Sequence, residues 1–148
     1  MKKMNEQFKI NIFYDKEIKF KFNINKFVIK ILKNEKQNNF QINLIFVDNK
    51  KIKQLNTDFR NKNSETDVIS FTYNEKTHKF LGGDIFISVD VAEKNAKKYR
   101  VDFEQEILRL IAHGVLHILG YDHTDDFKSI EIMKKKQEKY INEFLKEC

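Results

Sequence analysis

"FEQEILRLIAHGVLHIL" (residues 103–119) carries the strongest periodic signal in the chain. Apolar residues recur at three- and four-residue spacing, and acidic residues stand in the first turn, where the helix dipole favours them. The spacing predicts a helix, and much follows from that assignment. Positions four apart on a helix lie one above the other, so His113 and His117 share a face. Gly120 is placed to end the helix in the left-handed conformation that glycine adopts without penalty. His123 can then reach the same point from a third direction. Three of the four histidines thus fall within eleven positions.

Three neutral imidazoles suit zinc. No cysteine is near to close a tetrahedron, so a fourth position stays open, as at catalytic sites. Gly114, costly inside a helix, is expected to leave space beside His113. The spacing also fits the zinc-peptidase pattern H-E-x-x-H-x-x-G-x-x-H, except that Gly114 stands where the glutamate should be. Glycine cannot act as the general base that this glutamate provides, which disfavours a peptidase or amidase. Met133 falls within a helical pattern and gives little support to the methionine turn of those enzymes.

Around this centre the chain reads as alternating strands and helices. "FKINIFY" (8–14) and "FQINLIFVD" (40–48) alternate as strands do. Between them, "NINKFVIKILKNEK" (23–36) sets Phe27, Val28, Ile31 and Leu32 on one helical face. "NKKIKQLNTDFR" (49–60) suggests a short helix or turn. "TDVISFTY" (66–73) and "DIFISVD" (84–90) suggest strands separated by a polar loop ending in Gly82-Gly83. "VAEKNAKKY" (91–99) should be helical. "FKSIEIMKKKQEKYINEFLKE" (127–147) is amphipathic, marked by Ile130, Met133, Tyr140, Ile141, Phe144 and Leu145. The expectation is one α+β domain over residues 1–148. It would have a small, about four-stranded mixed sheet flanked by helices, with the metal site on the C-terminal histidine helix and the following turn.

The 148 residues can bury a sizeable core, and 41% apolar with 34% charged residues is an ordinary globular balance. Cys148 is the only cysteine, which excludes an intrachain disulfide. Lys2 and Lys3 lead into Met4, Asn5 and Glu6 rather than an apolar run, and no apolar stretch is long enough to cross a bilayer. A cytosolic protein without a membrane partner is expected. The formal net charge is +6. Residues 1–74 hold fifteen basic and eight acidic side chains, residues 75–148 thirteen and fourteen, so the positive excess lies away from the histidines. That balance favours a polyanion, nucleic acid first, through phosphate neutralisation and steering. Arg60, Arg100 and Arg109 are the only arginines.

These blocks resemble the bacterial YbeY family. Its signature H-G-x-L-H-L-x-G-Y-D-H stands here as "HGVLHILGYDH" (113–123), with Ile118 for one leucine. L-N-x-x-F-R and P-T-D-V-L-S-F appear as "LNTDFR" (55–60) and "ETDVISF" (65–71), with Glu65 for the proline, and L-G-D-I as "LGGDI" (81–85) with one extra glycine. The blocks fall in family order and span most of the chain. The resemblance implies one zinc ion per chain held by His113, His117 and His123, and a functional arginine at Arg60. It also implies an endoribonuclease cutting single-stranded RNA and ribosomal RNA precursors, including the 3′ end of the small-subunit RNA. A link to ribosome maturation and quality control follows, with no DNA substrate.

Arg60 suits a phosphate through its planar fork of donors, which lysine lacks. Asp67 and Asp84 are candidates to orient a ligand histidine or to cap a strand end, and Asp122 is a weaker one beside His123. Tyr73 and Tyr121 are candidates for base stacking or for the core. His78 is expected to be exposed, and Lys134 to Lys136 to form a solvated helix face. A non-catalytic RNA-binding or ribosome-assembly module, with zinc locking the last helices together, is the principal alternative.

Overall fold

The computed structural model describes residues 7–15, 18–62, 64, 66–73, 81–121 and 126–147. Among these residues four strands, β1 (Gln7–Tyr14), β2 (Asn39–Val47), β3 (Val68–Thr72) and β4 (Leu81–Ser88), form one sheet in the order β1-β2-β4-β3. β1, β2 and β4 are parallel, and β3 runs antiparallel to β4. The expected mixed sheet is thus present. Among the described residues five helices surround it: α1 (Ile24–Asn34), α2 (Asn49–Arg60), α3 (Val89–Tyr99), α4 (Phe103–Ile118) and α5 (Phe127–Glu147).

Local chemistry sets several helix starts. The Asn23 side chain accepts from Lys26 N–H at 3.1 Å, Asp48 from Lys51 N–H at 2.8 Å, and Ser88 from Val91 N–H at 3.1 Å. Each satisfies a donor that the first helical turn leaves open. The Ser88 cap explains one departure from expectation. Val89 and Asp90 begin α3 rather than ending the strand.

Gly82 and Gly83 are also placed differently from the expected loop, since both lie inside β4, opposite Gln41 and Ile42. A Cβ on Gly82 would stand 1.7 Å from the Gln41 carbonyl oxygen, and one on Gly83 would stand 2.2 Å from that of Phe71. Close backbone approach on both flanks of the strand requires glycine here. Residues 49–60 form a full helix, α2, rather than a turn.

Alternation along β2 sends Phe40, Ile42, Leu44 and Phe46 to one face, joined by Ile85 and Ile87 of β4. Helices α1 and α4 cover that face, and α5 packs beyond on α4. On the other face, Ile52 and Leu55 of α2 cover Val47 and Ile69. Ile107, Leu110, Ile111, Ala112, Val115 and Leu116 are buried, so α4 is enclosed by β3, β4, α3 and α5 together. An enclosed helix can hold side chains at fixed depth beside a cleft. Among the described residues no helix is long and apolar enough to cross a membrane.

Candidate functional site

His113 and His117 both come from α4 and line one cleft of about 250 Å³, as their helical spacing predicts. Its other wall is the segment 66–70, and Arg60 completes the lining. The helix bearing the histidines is the penultimate one among the described residues, followed by α5. It ends where Gly120 takes a φ of +103°, the positive range expected of it.

Gly114 faces the sheet. A Cβ there would approach Ile85 Cγ2 to 2.7 Å, so this glycine lets α4 press against β4 rather than opening space beside His113. A side chain at position 114 would start toward Ile85, in the core. The glutamate of the zinc-peptidase pattern therefore has no room here.

Arg60 is the last residue of α2, exposed at the cleft. The chain leaves it through Asn61, whose φ is +54°. Asn56, only 2% exposed, donates from Nδ2 to the Ser64 carbonyl at 2.9 Å and holds the returning strand of the loop. Asn56 lies in the "LNTDFR" block, one turn before Arg60, but sequence reasoning gave it no role. Its signal was a polar residue on the buried side of a helix.

Asp67 bonds to neither ligand candidate among the interactions described. Its carboxylate lies 3.5 Å from Arg109 and accepts from Asn95 Nδ2 at 3.4 Å. Both partners also hold Glu106, which is 1% exposed: Arg109 donates through Nε and Nη2 at 2.7 Å each, and Asn95 at 3.1 Å. This two-pronged pairing offsets the cost of burying the Glu106 carboxylate. Hydrogen bonds to Glu106, opposed by burial, hold the Arg109 guanidinium above its ordinary pKa. Arg109 of α4 and Asn95 of α3 thus tie their two helices to the cleft wall. Among the described residues Arg60 is the arginine that lines the cleft.

Asp84 sits within β4 in a polar row across the open sheet face. Asn11 donates to Asn43 at 3.0 Å, Asn43 donates to Asp84 at 2.9 Å, and Tyr73 OH donates to Asp84 at 2.5 Å. Burial and then Asp84 push the Tyr73 phenol well above its usual range. Asp84 and Tyr73 therefore brace strands together, and Asp84 lies inside β4 rather than at a strand end.

Tyr121 OH donates to Glu35, which also accepts from Lys136 at 3.0 Å and from Tyr140 OH. Burial pushes the Glu35 carboxyl up, but these three donors outweigh it and hold it below its ordinary 4.5. Lys136 lies 5.0 Å from the centre of the Tyr121 ring. Lysines 134 and 135 are solvated as expected, whereas Lys136 reaches inward to this cluster.

Behind His113 lies a residue the sequence reading missed. Gln137 of α5 is 6% exposed, and its Nε2 stands 2.8 Å from His113 Nδ1. Its signal was its place in the apolar stripe of α5, between Met133 and Tyr140. Met133 itself is buried in that helix and forms no turn.

Among the described residues no three His, Cys, Asp or Glu side chains gather as a metal cluster. His123, Asp122, His78 and Glu65 lie outside the described residues. The donor set that is described fits zinc: two imidazoles from one helix face line one cleft, and a buried amide stands behind the first.

A family model described as "Endoribonuclease YbeY" matches residues 4–145. The endoribonuclease YbeY of Thermosipho melanesiensis is 40% identical over 119 residues, covering 80% of this chain and 84% of that protein. The one from Sulfurihydrogenibium sp. is 37% identical over 131 residues, covering 87% and 86%. The solution structure of TM1509 from Thermotoga maritima superposes with a TM-score of 0.61 at 29% identity, over 93% of this chain and 90% of that one.

Proposed function

This chain belongs to the endoribonuclease YbeY family, hydrolases of RNA phosphodiester bonds, and we propose that it is a zinc-dependent, single-strand-specific endoribonuclease of ribosomal RNA maturation. Its substrates are ribosomal RNA precursors on the small subunit, including the RNA 3′ end, and it serves late ribosome quality control in the cytoplasm. The observation that carries this reading is the meeting of Arg60 with His113 and His117 in one cleft.

His113, His117 and His123 would hold the ion, one per chain. When bound, zinc supplies Lewis acidity, which lowers the pKa of water and polarises a phosphoryl oxygen. Arg60 binds the scissile phosphate through paired donors and stabilises charge as it builds on the phosphoryl oxygens. Arg60 is the residue proposed to touch the substrate. Asp67, held by Arg109 and Asn95, keeps the facing wall of the cleft in place. The basic excess of residues 1–74 supplies phosphate neutralisation along the rest of a bound strand.

The test is cleavage of a precursor small-subunit RNA by purified protein before chelation, after chelation, and after zinc is restored. Cleavage should disappear and return, His117→Ala should be inactive throughout, and DNA of the same sequence should remain intact. Full zinc binding with no RNA cleavage under any condition would refute the enzyme and favour a non-catalytic assembly module.

A further inference from the structure

We propose that Gln137 is a positioning residue for the metal, fixing the tautomer and orientation of His113. The inference rests on the zinc reading above and extends it beyond the three histidines.

Gln137 occupies a place where an apolar side chain would be ordinary. It lies in the stripe of α5 that buries Met133, Tyr140, Ile141 and Phe144. A buried amide without partners is unfavourable, so its contacts are its justification. The contact it makes is with His113 Nδ1, at 2.8 Å from Nε2.

A ligand imidazole must present a lone pair on one nitrogen. The other nitrogen then carries the proton and requires an acceptor. If Gln137 Nε2 donates to Nδ1, the ring proton sits on Nε2, and that tautomer cannot bind a metal through Nε2. Turning the amide by half a rotation puts Oε1 in the same place, since its oxygen and nitrogen are nearly equal in size. Nδ1–H then donates to Oε1, and the Nε2 lone pair is available to zinc. Glutamine thus serves both states of the ring: a donor orientation without metal, an acceptor orientation with it. A carboxylate would serve only the second, and a leucine neither. The amide also fixes the ring plane, because α5 packs against α4.

The test compares Gln137→Leu and Gln137→Glu with the parent. Zinc affinity is read by competition with a chromophoric chelator, and folding of the metal-free proteins by thermal unfolding. Gln137→Leu should fold and bind zinc about 10–100-fold more weakly, the usual loss for an outer partner of a ligand histidine. Gln137→Glu retains an acceptor and should bind at least as tightly as the parent. In the zinc-loaded parent, ¹⁵N NMR should show His113 protonated on Nδ1. A folded Gln137→Leu protein with parental zinc affinity overturns the inference alone. Should that variant not fold, a zinc-loaded parent with Nδ1 unprotonated overturns it as well. A parent that binds no zinc overturns the metal reading and this inference together.

Discussion

Replacing Gly114 with alanine adds one methyl group where α4 meets β4, and two opposing effects decide its sign. Alanine is better than glycine in a helix interior by about 1 kcal/mol. Against this, the new Cβ would stand 2.7 Å from Ile85 Cγ2 and 3.1 Å from its Cδ1. Comfortable carbon contacts lie near 3.5–4.0 Å, so roughly 1 Å must be found. Ile85 is fully buried, and its Cγ2 branches directly from Cβ, so it cannot swing aside without leaving its rotamer. The helix must lift or Ile85 must strain, at about 1–3 kcal/mol for an overpacked core. Gly114→Ala should therefore destabilise by about 1 kcal/mol net, lowering Tm by roughly 3 °C. Urea unfolding of a double-mutant cycle isolates the cause. Ile85→Ala alone should cost about 2–5 kcal/mol. On that background Gly114→Ala should become neutral or stabilising, since Cγ2 is gone. If Gly114→Ala stabilises the parent by the full helix-propensity gain, the close packing of α4 on β4 is wrong, and with it the account of the missing glutamate.

Two further outcomes are expected. Arg60→Lys keeps the charge but loses the planar fork, so cleavage should fall at least about tenfold while zinc content stays at the parental level; unaltered turnover would remove Arg60 from the reaction. Glu35→Gln keeps the shape but removes the charge shared by three donors, costing roughly 1–3 kcal/mol at neutral pH. Because the folded Glu35 pKa lies below its ordinary 4.5, its contribution is complete above that value and is lost as pH falls through the folded value. The stability gap between parent and variant should thus narrow in acid, and a gap constant with pH would contradict the assigned charge.

Periodicity made most of the fold legible. The bounds of α5 match the quoted stretch 127–147, and the buried face of α1 is the one read from Phe27, Val28, Ile31 and Leu32. The misplaced parts depended on the neighbouring chain. Gly82 and Gly83 suggest a loop until Gln41 and Phe71 are seen pressing on them from both sides. Gly114 lies beside a histidine in sequence, yet the atom it makes room for belongs to residue 85. At the site, the four-residue histidine spacing sufficed to pair His113 with His117, and the "LNTDFR" block pointed to Arg60. Asp67, Asp84 and Gln137 were different, because an acid or amide takes its role from whichever partner the tertiary fold delivers. Those partners, Arg109, Tyr73 and His113, come from other elements.

The Glu35 cluster carries a consequence for the order in which the molecule is completed. Its bonds reach 86, 101 and 105 positions along the chain. The entropy of closing such loops grows only logarithmically with length, so the finished protein holds them at little extra cost. During synthesis the same separations impose a sequence of events, because the chain emerges from its N-terminal end. A nascent chain that reaches only as far as Tyr121 contains His113 and His117 but still lacks Lys136, Gln137 and Tyr140. The acidic end of α1 then waits for two of its three donors, and the first histidine waits for the amide behind it. An endoribonuclease built in this way sets Gln137 behind His113 only after its first four described helices have been made.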